Sequence, residues 1–434
     1  MAGAWWPAVT RPEIADPGRP VAAGIGAPAP PRALYVHIPF CVSLCPYCDF
    51  VVLAGAATRG PRNRIGALVA ALEVELRLRA DALDARWGPP RSAARPELDS
   101  VYIGGGTPSL LPAETIAGVL AIVAERFGIS RHAEVTLEAN PGPDERGDAR
   151  ALRDAGVTRL SIGAQSLDAA ELRALGRRHA PVDVAATVHD ARTAGFESIS
   201  LDLLYDVPGA TLETWRRTLD AALGLEPDHL SLYALTLDNP DAEGITGLNG
   251  DHLPVLDGAR RWRERARPAQ DDDRAAAMYE LADRRLADGG YRWYEISNWA
   301  RPGHESRHNL AYWERLPFEA VGPGAHAFDG VTRRWNAARL DGYIAFLTPP
   351  DGSPRAAPPG GADPVDDPTA AAEAVILGLR TSRGIDASVA LAAPLADQFG
   401  WALAAELVDV TSDDRIVLTT RGRLLSNELF ARLV

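Results

Sequence analysis

The chain has 434 residues, 46% of them hydrophobic and 24% charged, which is ample for a folded core and long enough for more than one domain. Its net charge is −13, lysine is absent and no dense basic run occurs, so a nucleic-acid partner is not expected. No apolar run approaches membrane-spanning length, and the start of the chain lacks the basic and apolar segments of a secretory signal. Residues 1–31 are rich in Ala, Pro and Gly without periodicity and read as a disordered arm.

From 32 to 237 strands and helices alternate. Residues 33–38 are mostly β-branched or aromatic and read as a strand. It runs into Cys41-x₃-Cys45-x₂-Cys48, which holds every cysteine in the chain. Ile65, Leu68, Val69, Leu72 and Leu76 share one helical face. Further strands are expected at 99–103, 134–138, 159–165, 198–205 and 229–236, with helices over 113–126, 144–155, 169–175, 182–194 and 212–223. Six βα-type strands indicate a parallel sheet with too few strands for a closed eight-stranded barrel. Residues 238–348 form an extension. It opens with a polar stretch whose arginine cluster, Arg260 to Arg267, reads as a solvated helix face. A helix over 274–286, an aromatic strand at 291–297 and a loop-rich stretch over 300–337 follow. Residues 349–367 are Pro/Gly/Asp-rich and read as a linker. Residues 368–434 read as a small, mostly helical or winged-helix-like domain with one short strand at 416–419.

Clustered thiolates select zinc, copper(I) or iron–sulfur clusters. A closed zinc site needs a fourth protein ligand, and His37 is fixed in the strand before the loop begins. A cubane normally takes four cysteines, so three would leave one iron open. Spacing alone leaves both readings standing. Unpaired cysteines suit a reducing compartment, and a cytoplasmic location is expected. Other polar groups fall at or near the carboxyl ends of strands, where parallel βα folds bind ligands. These are Gly104-Gly105-Gly106-Thr107, Glu138, Gln165, Arg177 and, mid-strand, Asp202. Each has a plain structural alternative in a tight turn, a cap or a salt bridge.

Tyr-Val-His-Ile-Pro-Phe followed by Cys-x₃-Cys-x₂-Cys resembles the radical S-adenosylmethionine (SAM) superfamily. More narrowly it resembles the branch of oxygen-independent coproporphyrinogen III oxidase and the HemW-type haem chaperones. The resemblance implies an α/β fold, an open partial (β/α)6 TIM-like barrel of the radical SAM type. It also implies a [4Fe–4S] cluster on Cys41, Cys45 and Cys48, with SAM on the open iron. The SAM-contacting positions it implies are Tyr35, Tyr47, Gly105, Gly106, Thr107, Glu138, Gln165, Arg177 and Asp202. His308-Asn309-Leu-Ala-Tyr312-Trp313 is similar to the haem-associated motif of the chaperones. Histidine is a standard axial haem ligand, Tyr and Trp offer flat faces, and His304 and His326 are further candidates. In the oxidase a fourth cysteine stands two residues after the third, where this chain has Phe50. The implied activity is haem binding and transfer to an acceptor protein such as a respiratory membrane protein, with a reductant for the cluster. The alternatives are an oxidase making protoporphyrinogen IX, a related haem-modifying radical SAM enzyme, or a zinc-stabilised binding module.

Overall fold

The computed structural model describes residues 27–58, 63–237, 244–349 and 357–433. Strands β1 (Ala33–Ile38), β2 (Leu98–Gly105), β3 (Ile129–Ala139), β4 (Arg159–Gln165), β5 (Ser198–Tyr205) and β6 (His229–Ala234) lie side by side in chain order, all parallel. Helices α1 (Ile65–Trp87), α2 (Ala113–Arg126), α3 (Ala149–Asp154), α4 (Ala169–Ala174), α5 (Pro181–Thr193) and α6 (Leu212–Leu223) carry the chain back between them. Crossovers of one hand put these helices on one face of the sheet. Val36, Val101, Ile103, Leu137, Leu201 and Leu203 turn to that face and form the main core with Leu68, Leu72 and Leu76 of α1. The opposite face is polar. Tyr35, Tyr102, Glu138, Ser161, Asp202 and Ser231, one from each successive strand, line a cavity there. This is the open six-stranded partial barrel expected from the sequence.

The extension adds α7 (Asp257–Ala266), α8 (Asp272–Asp288), β7 (Arg292–Glu295), β8 (Asn298–Ala300), α9 (Arg307–Trp313), β9 (Phe318–Val321), β10 (His326–Phe328), β11 (Thr332–Asn336) and α10 (Leu340–Leu347). Its strands cover both edges of the barrel sheet. β8 pairs antiparallel with β6, and β9 pairs parallel with β1. The sheet thereby reaches twelve strands, in the order β12-β11-β10-β9-β1-β2-β3-β4-β5-β6-β8-β7 with β12 at Gly360–Pro364. The stretch read as loop-rich thus contains three of these strands, β9 to β11, too short to show a period of two. A buried carboxylate ties the extension to the barrel. Glu75 of α1 accepts from Arg79, from Asn336 Nδ2 (2.8 Å), from the Gly322 amide (2.9 Å) and from the Tyr343 hydroxyl (2.6 Å).

Part of the expected linker is structured. Residues 350–356 lie outside the described residues, but Gly360–Pro364 pairs with β11 along its length. The glycines that suggested a flexible stretch serve close packing: a Cβ on Gly361 would run into the Trp335 indole. The end of the expected disordered arm is also ordered, since the Ala29 amide donates to Asp329 O at 2.8 Å. Residues 1–26 lie outside the described residues.

The C-terminal unit comprises α11 (Asp367–Leu379), β13 (Ile385–Asp386), α12 (Ala387–Ala390), α13 (Ala396–Ala404), β14 (Val408–Val410), β15 (Arg415–Leu418), α14 (Thr420–Leu424) and α15 (Ser426–Phe430). It is mostly helical, around a core of Leu379, Phe399, Leu407, Ile416 and Leu429. Its antiparallel sheet has the order β13-β15-β14, where the sequence suggested one strand. Arg423 joins it to the extension by pairing with Asp283 of α8 and stacking on Trp293 of β7 at 4.4 Å. Among the described residues, no helix is long and apolar enough to cross a membrane.

Candidate functional site

The three-cysteine loop leaves the end of β1 and returns to it. The Leu53 amide donates to Pro39 O (2.6 Å) and the Cys41 amide to Leu53 O (2.9 Å), so the loop is pinched at its base. Cys41, Cys45 and Cys48 are free thiols at intermediate burial. Burial pushes the Cys41 thiol up to about 12 and raises that of Cys48 as well. Such thiols stay protonated until a metal binds them as thiolates. The donor set suits a soft metal. Among the described residues, no three His, Cys, Asp or Glu side chains gather around one point as a single-ion site requires. A cubane has no such requirement, because each thiolate takes a different iron.

Beyond the thiols, two of the expected residues form a hydrogen-bonded relay through Asn140, which the sequence did not single out. Thr107 Oγ1 donates to Cys41 Sγ (3.5 Å), and Asn140 Nδ2 donates to Thr107 Oγ1 (3.0 Å). Arg177 donates to Asn140 Oδ1 (2.6 Å), to Gly163 O (2.8 Å) and to Cys45 Sγ (3.4 Å). Gln165 ends β4 in the left-handed region, φ 64°, where the register with β5 slips.

The glycine triplet forms a seam between β2 and the cysteine loop. The Gly106 and Thr107 amides donate to Ile38 O (2.8 Å) and Phe40 O (2.7 Å). Gly105 has φ +109°, and a Cβ there would collide with the His37 ring. That ring is fixed at both nitrogens, Nδ1 to Tyr35 OH (2.9 Å) and Nε2 to Val51 O (2.8 Å). Burial lowers its pKa to about 4, so His37 is a neutral brace for the loop. Glu138 accepts from the Gly105 amide and from Tyr102 OH, both at 2.8 Å.

The cavity takes in about 540 Å³ of space between atoms, part of it open to solvent. Glu138 and Asp202 both open on it, and burial raises the pKa of each. Ser161 Oγ donates to the Asp202 carboxylate at 3.1 Å. Phe50 and Gly105 lie at the cysteine-loop end. The other end is closed by α9, which sits against residues toward the amino ends of β2, β3 and β4. Glu134 accepts from Ser306 Oγ and from the Arg307 and His308 amides at 3.2–3.3 Å, capping the helix. Arg159, buried on the cavity wall, donates to His304 O at 3.0 Å.

His308 is fully engaged: Nδ1 bonds to Ser100 Oγ (3.0 Å) and Nε2 to Tyr312 OH (2.8 Å). Burial lowers its pKa to about 3. Ligation of iron through His308 requires one of these bonds to break. His326 pairs with Asp251 at 3.1 Å.

Of the expected site residues, Tyr35, Gly105, Glu138, Asp202, His308, Asn309 and Tyr312 line this one cavity. Tyr47, Gly106, Thr107, Gln165, Arg177 and Trp313 do not. Cys45 and Arg177 share a smaller recess beside the loop, and Trp313 lies under Arg380 at 4.7 Å.

The arginine cluster is not a simple solvated face. Arg260, Arg261, Arg265 and Arg267 are exposed, but Arg263 is buried against the cysteine loop. A signal was available: Ala259, Trp262 and Ala266 make an apolar stripe at helical spacing, and Arg263 lies within it. Arg159 carried no comparable signal.

The radical SAM superfamily model matches residues 35–222. The protein named heme chaperone HemW from Mycobacterium tuberculosis is 38% identical over 407 residues, 94% of this chain and 96% of that protein. The one from Lactococcus lactis subsp. lactis is 34% identical over 316 residues, 72% of this chain and 74% of that protein. The structure of Escherichia coli coproporphyrinogen III oxidase (HemN), described as a radical SAM enzyme, matches with a TM-score of 0.73 at 23% identity, covering 94% of this chain and 91% of that one. That likeness concerns the fold. Membership of the superfamily implies SAM and a [4Fe–4S] cluster, and the three free thiols at the barrel mouth fit the cluster. The chain belongs to the radical SAM superfamily and, within it, to the family of proteins named heme chaperone HemW.

Proposed function

We propose that this protein is a haem chaperone that binds haem and a SAM-ligated [4Fe–4S] cluster and passes haem to an acceptor protein. One observation carries the reading. A single cavity runs from Phe50 and Gly105, beside the cysteine loop, to His308 and Tyr312 of the His-Asn-x-x-Tyr-Trp segment.

In this reading Cys41, Cys45 and Cys48 hold the cluster, and Thr107 and Arg177 donate to two of the sulfurs. When bound, the cluster and SAM supply one-electron cleavage of a sulfonium. The chain's own residues bind, orient and shield. Gly105, Gly106 and Thr107 give backbone access to the SAM amino group. Glu138 and Asp202 are buried carboxyls that gain most from a cationic or hydroxyl-bearing ligand, since a nearby cation favours their charged forms. Gln165 and Arg177 serve the methionine end, and Tyr35 and Tyr47 flank the cofactor. Haem would be held at the α9 end by His308, Asn309 and Tyr312, with His308 giving up one hydrogen bond to ligate the iron; Trp313, outside the cavity under Arg380, would have to turn to join them. The acceptor is a haem protein, a respiratory membrane protein being the first to test; the location is cytoplasmic, and a separate donor reduces the cluster. Phe50 in place of the oxidase's fourth cysteine supports transfer over coproporphyrinogen oxidation.

The test is anaerobic reconstitution followed by parallel haem titration and coproporphyrinogen III turnover. Haem binding without protoporphyrinogen IX is expected, and His308→Ala should bind haem more weakly. Robust turnover overturns the chaperone reading. Zinc without iron after reconstitution overturns the cluster.

A further inference from the structure

The cysteine loop has little backbone support of its own. Between its two anchors at residues 41 and 53, the one backbone–backbone hydrogen bond among the described residues is Cys48 N to Cys45 O, at 3.1 Å. The remaining carbonyls of the turn face α7, more than two hundred residues on in the sequence. There Arg263, 3% exposed, donates to Pro46 O (3.2 Å), Tyr47 O (2.9 Å) and Cys48 O (3.4 Å), and its guanidinium pairs with the Asp49 carboxylate. Trp262 fixes the same helix turn, donating from Nε1 to Ala174 O (3.1 Å) with its ring against Tyr47.

We propose that Arg263 is a positioning residue for the iron–sulfur cluster: it clamps the Cys45–Cys48 turn and sets the local charge that tunes cluster reduction. This rests on the assignment of the cluster to Cys41, Cys45 and Cys48. The planar guanidinium reaches several oxygens at once, which an ammonium does not. It holds fixed the spacing between two thiolates that must meet different irons. Charge, hydrogen bonding and solvent exposure near a cluster set its potential. Arg263 and Asp49 form a partly buried pair, so losing one partner leaves the charge of the other. Removing the arginine leaves a negative charge and disfavours the incoming electron. Removing the carboxylate leaves a positive charge and favours it.

The experiment compares reconstituted wild type, Arg263→Met, Arg263→Lys and Asp49→Asn. Two quantities are measured: the midpoint potential, from an anaerobic redox titration followed by electron paramagnetic resonance, and the rate of iron loss to a chelator. Arg263→Met is expected to lower the potential and Asp49→Asn to raise it. A purely structural role would move both the same way. Iron loss in Arg263→Met should be about tenfold faster, the scale of one lost charge-assisted hydrogen bond. Arg263→Lys should keep the potential near wild type while losing iron faster. Shifts of one sign in Arg263→Met and Asp49→Asn, or wild-type iron loss in Arg263→Met, overturn the proposal. If Arg263→Met does not fold, Arg263→Lys decides, and wild-type iron retention in it overturns the clamp. Failure of the wild type to take up a cluster overturns the cluster assignment instead.

Discussion

Gly105→Ala should empty the cysteine loop of iron without touching a cysteine. The added methyl lands on the His37 ring, and the backbone there, at φ +109°, suits only glycine. Holding a side chain in that conformation costs about 1–3 kcal/mol. The ring cannot step aside freely, since moving it breaks the bonds to Tyr35 OH and Val51 O. Each buried bond left unmade adds about 1–3 kcal/mol. The total, roughly 3–9 kcal/mol, exceeds what one loop is expected to absorb, so the Val51 side of the loop should detach and the thiols lose their spacing. The assay is iron and sulfide per chain after anaerobic reconstitution, together with the thermal midpoint of the apoprotein. Gly118→Ala is the control, because nothing lies within 4 Å of a Cβ on that exposed position of α2. It should be neutral or stabilising by up to about 1 kcal/mol. A double variant carrying His37→Ala as well should lose less than the sum of the single losses. Wild-type iron content in Gly105→Ala, with an unchanged midpoint, would refute the steric argument.

Replacing any one of Cys41, Cys45 or Cys48 by Ala should abolish the visible absorbance of the reconstituted cluster; full iron retention in any of the three counts against their shared role. Glu75→Gln puts an amide donor among groups that already donate, and should lower the thermal midpoint by an amount equivalent to about 3–5 kcal/mol. An unshifted midpoint would mean that the clasp between α1 and the extension contributes nothing. Burial raises the pKa of Glu295 to about 7, so its folded carboxyl keeps a proton that the unfolded chain releases near 4.5. Its contribution is therefore fully present below about 4.5 and lost as pH rises through 7. Glu295→Gln should be more stable than wild type at pH 8, on the order of 3 kcal/mol, with the difference closing toward pH 4.5. A difference independent of pH would rule this out.

The parallel core was legible because each of its strands is long enough to show an apolar run and is bounded by a helix with a clear face. The strands β8 to β11 were not, having three to five residues each and depending for their existence on partners elsewhere in the sheet. The same division runs through the candidate site. Cys41, Cys45, Cys48 and Gly104–Thr107 announce themselves by local spacing, and Glu138 and Asp202 by sitting as charges in apolar strands. Glu134 owes its position to contacts about 170 residues away, which no local pattern encodes, and the apolar stripe around Arg263 marks its burial but not its partners 217 residues away. His308 shows the limit in another form. Its motif was visible, but the hydrogen bonds that occupy both its nitrogens come from Ser100 on a distant strand and from Tyr312 one helical turn on.

The parallel pairing of β1 with β9 has a consequence for synthesis on the ribosome. Ala33 must wait for Phe318, roughly 285 residues later, before that side of its strand is hydrogen-bonded. At about 5–20 residues per second, translation leaves the edge bare for roughly a quarter-minute to a minute. Over most of that interval the nascent barrel presents an unpaired, apolar strand border of the kind that recruits other chains. The cysteine loop hangs from that same strand and stays unclamped until Arg263 emerges. A ribosome stalled between residues 263 and 318 would therefore hold a chain whose loop is already braced while its sheet is still open to the wrong partner.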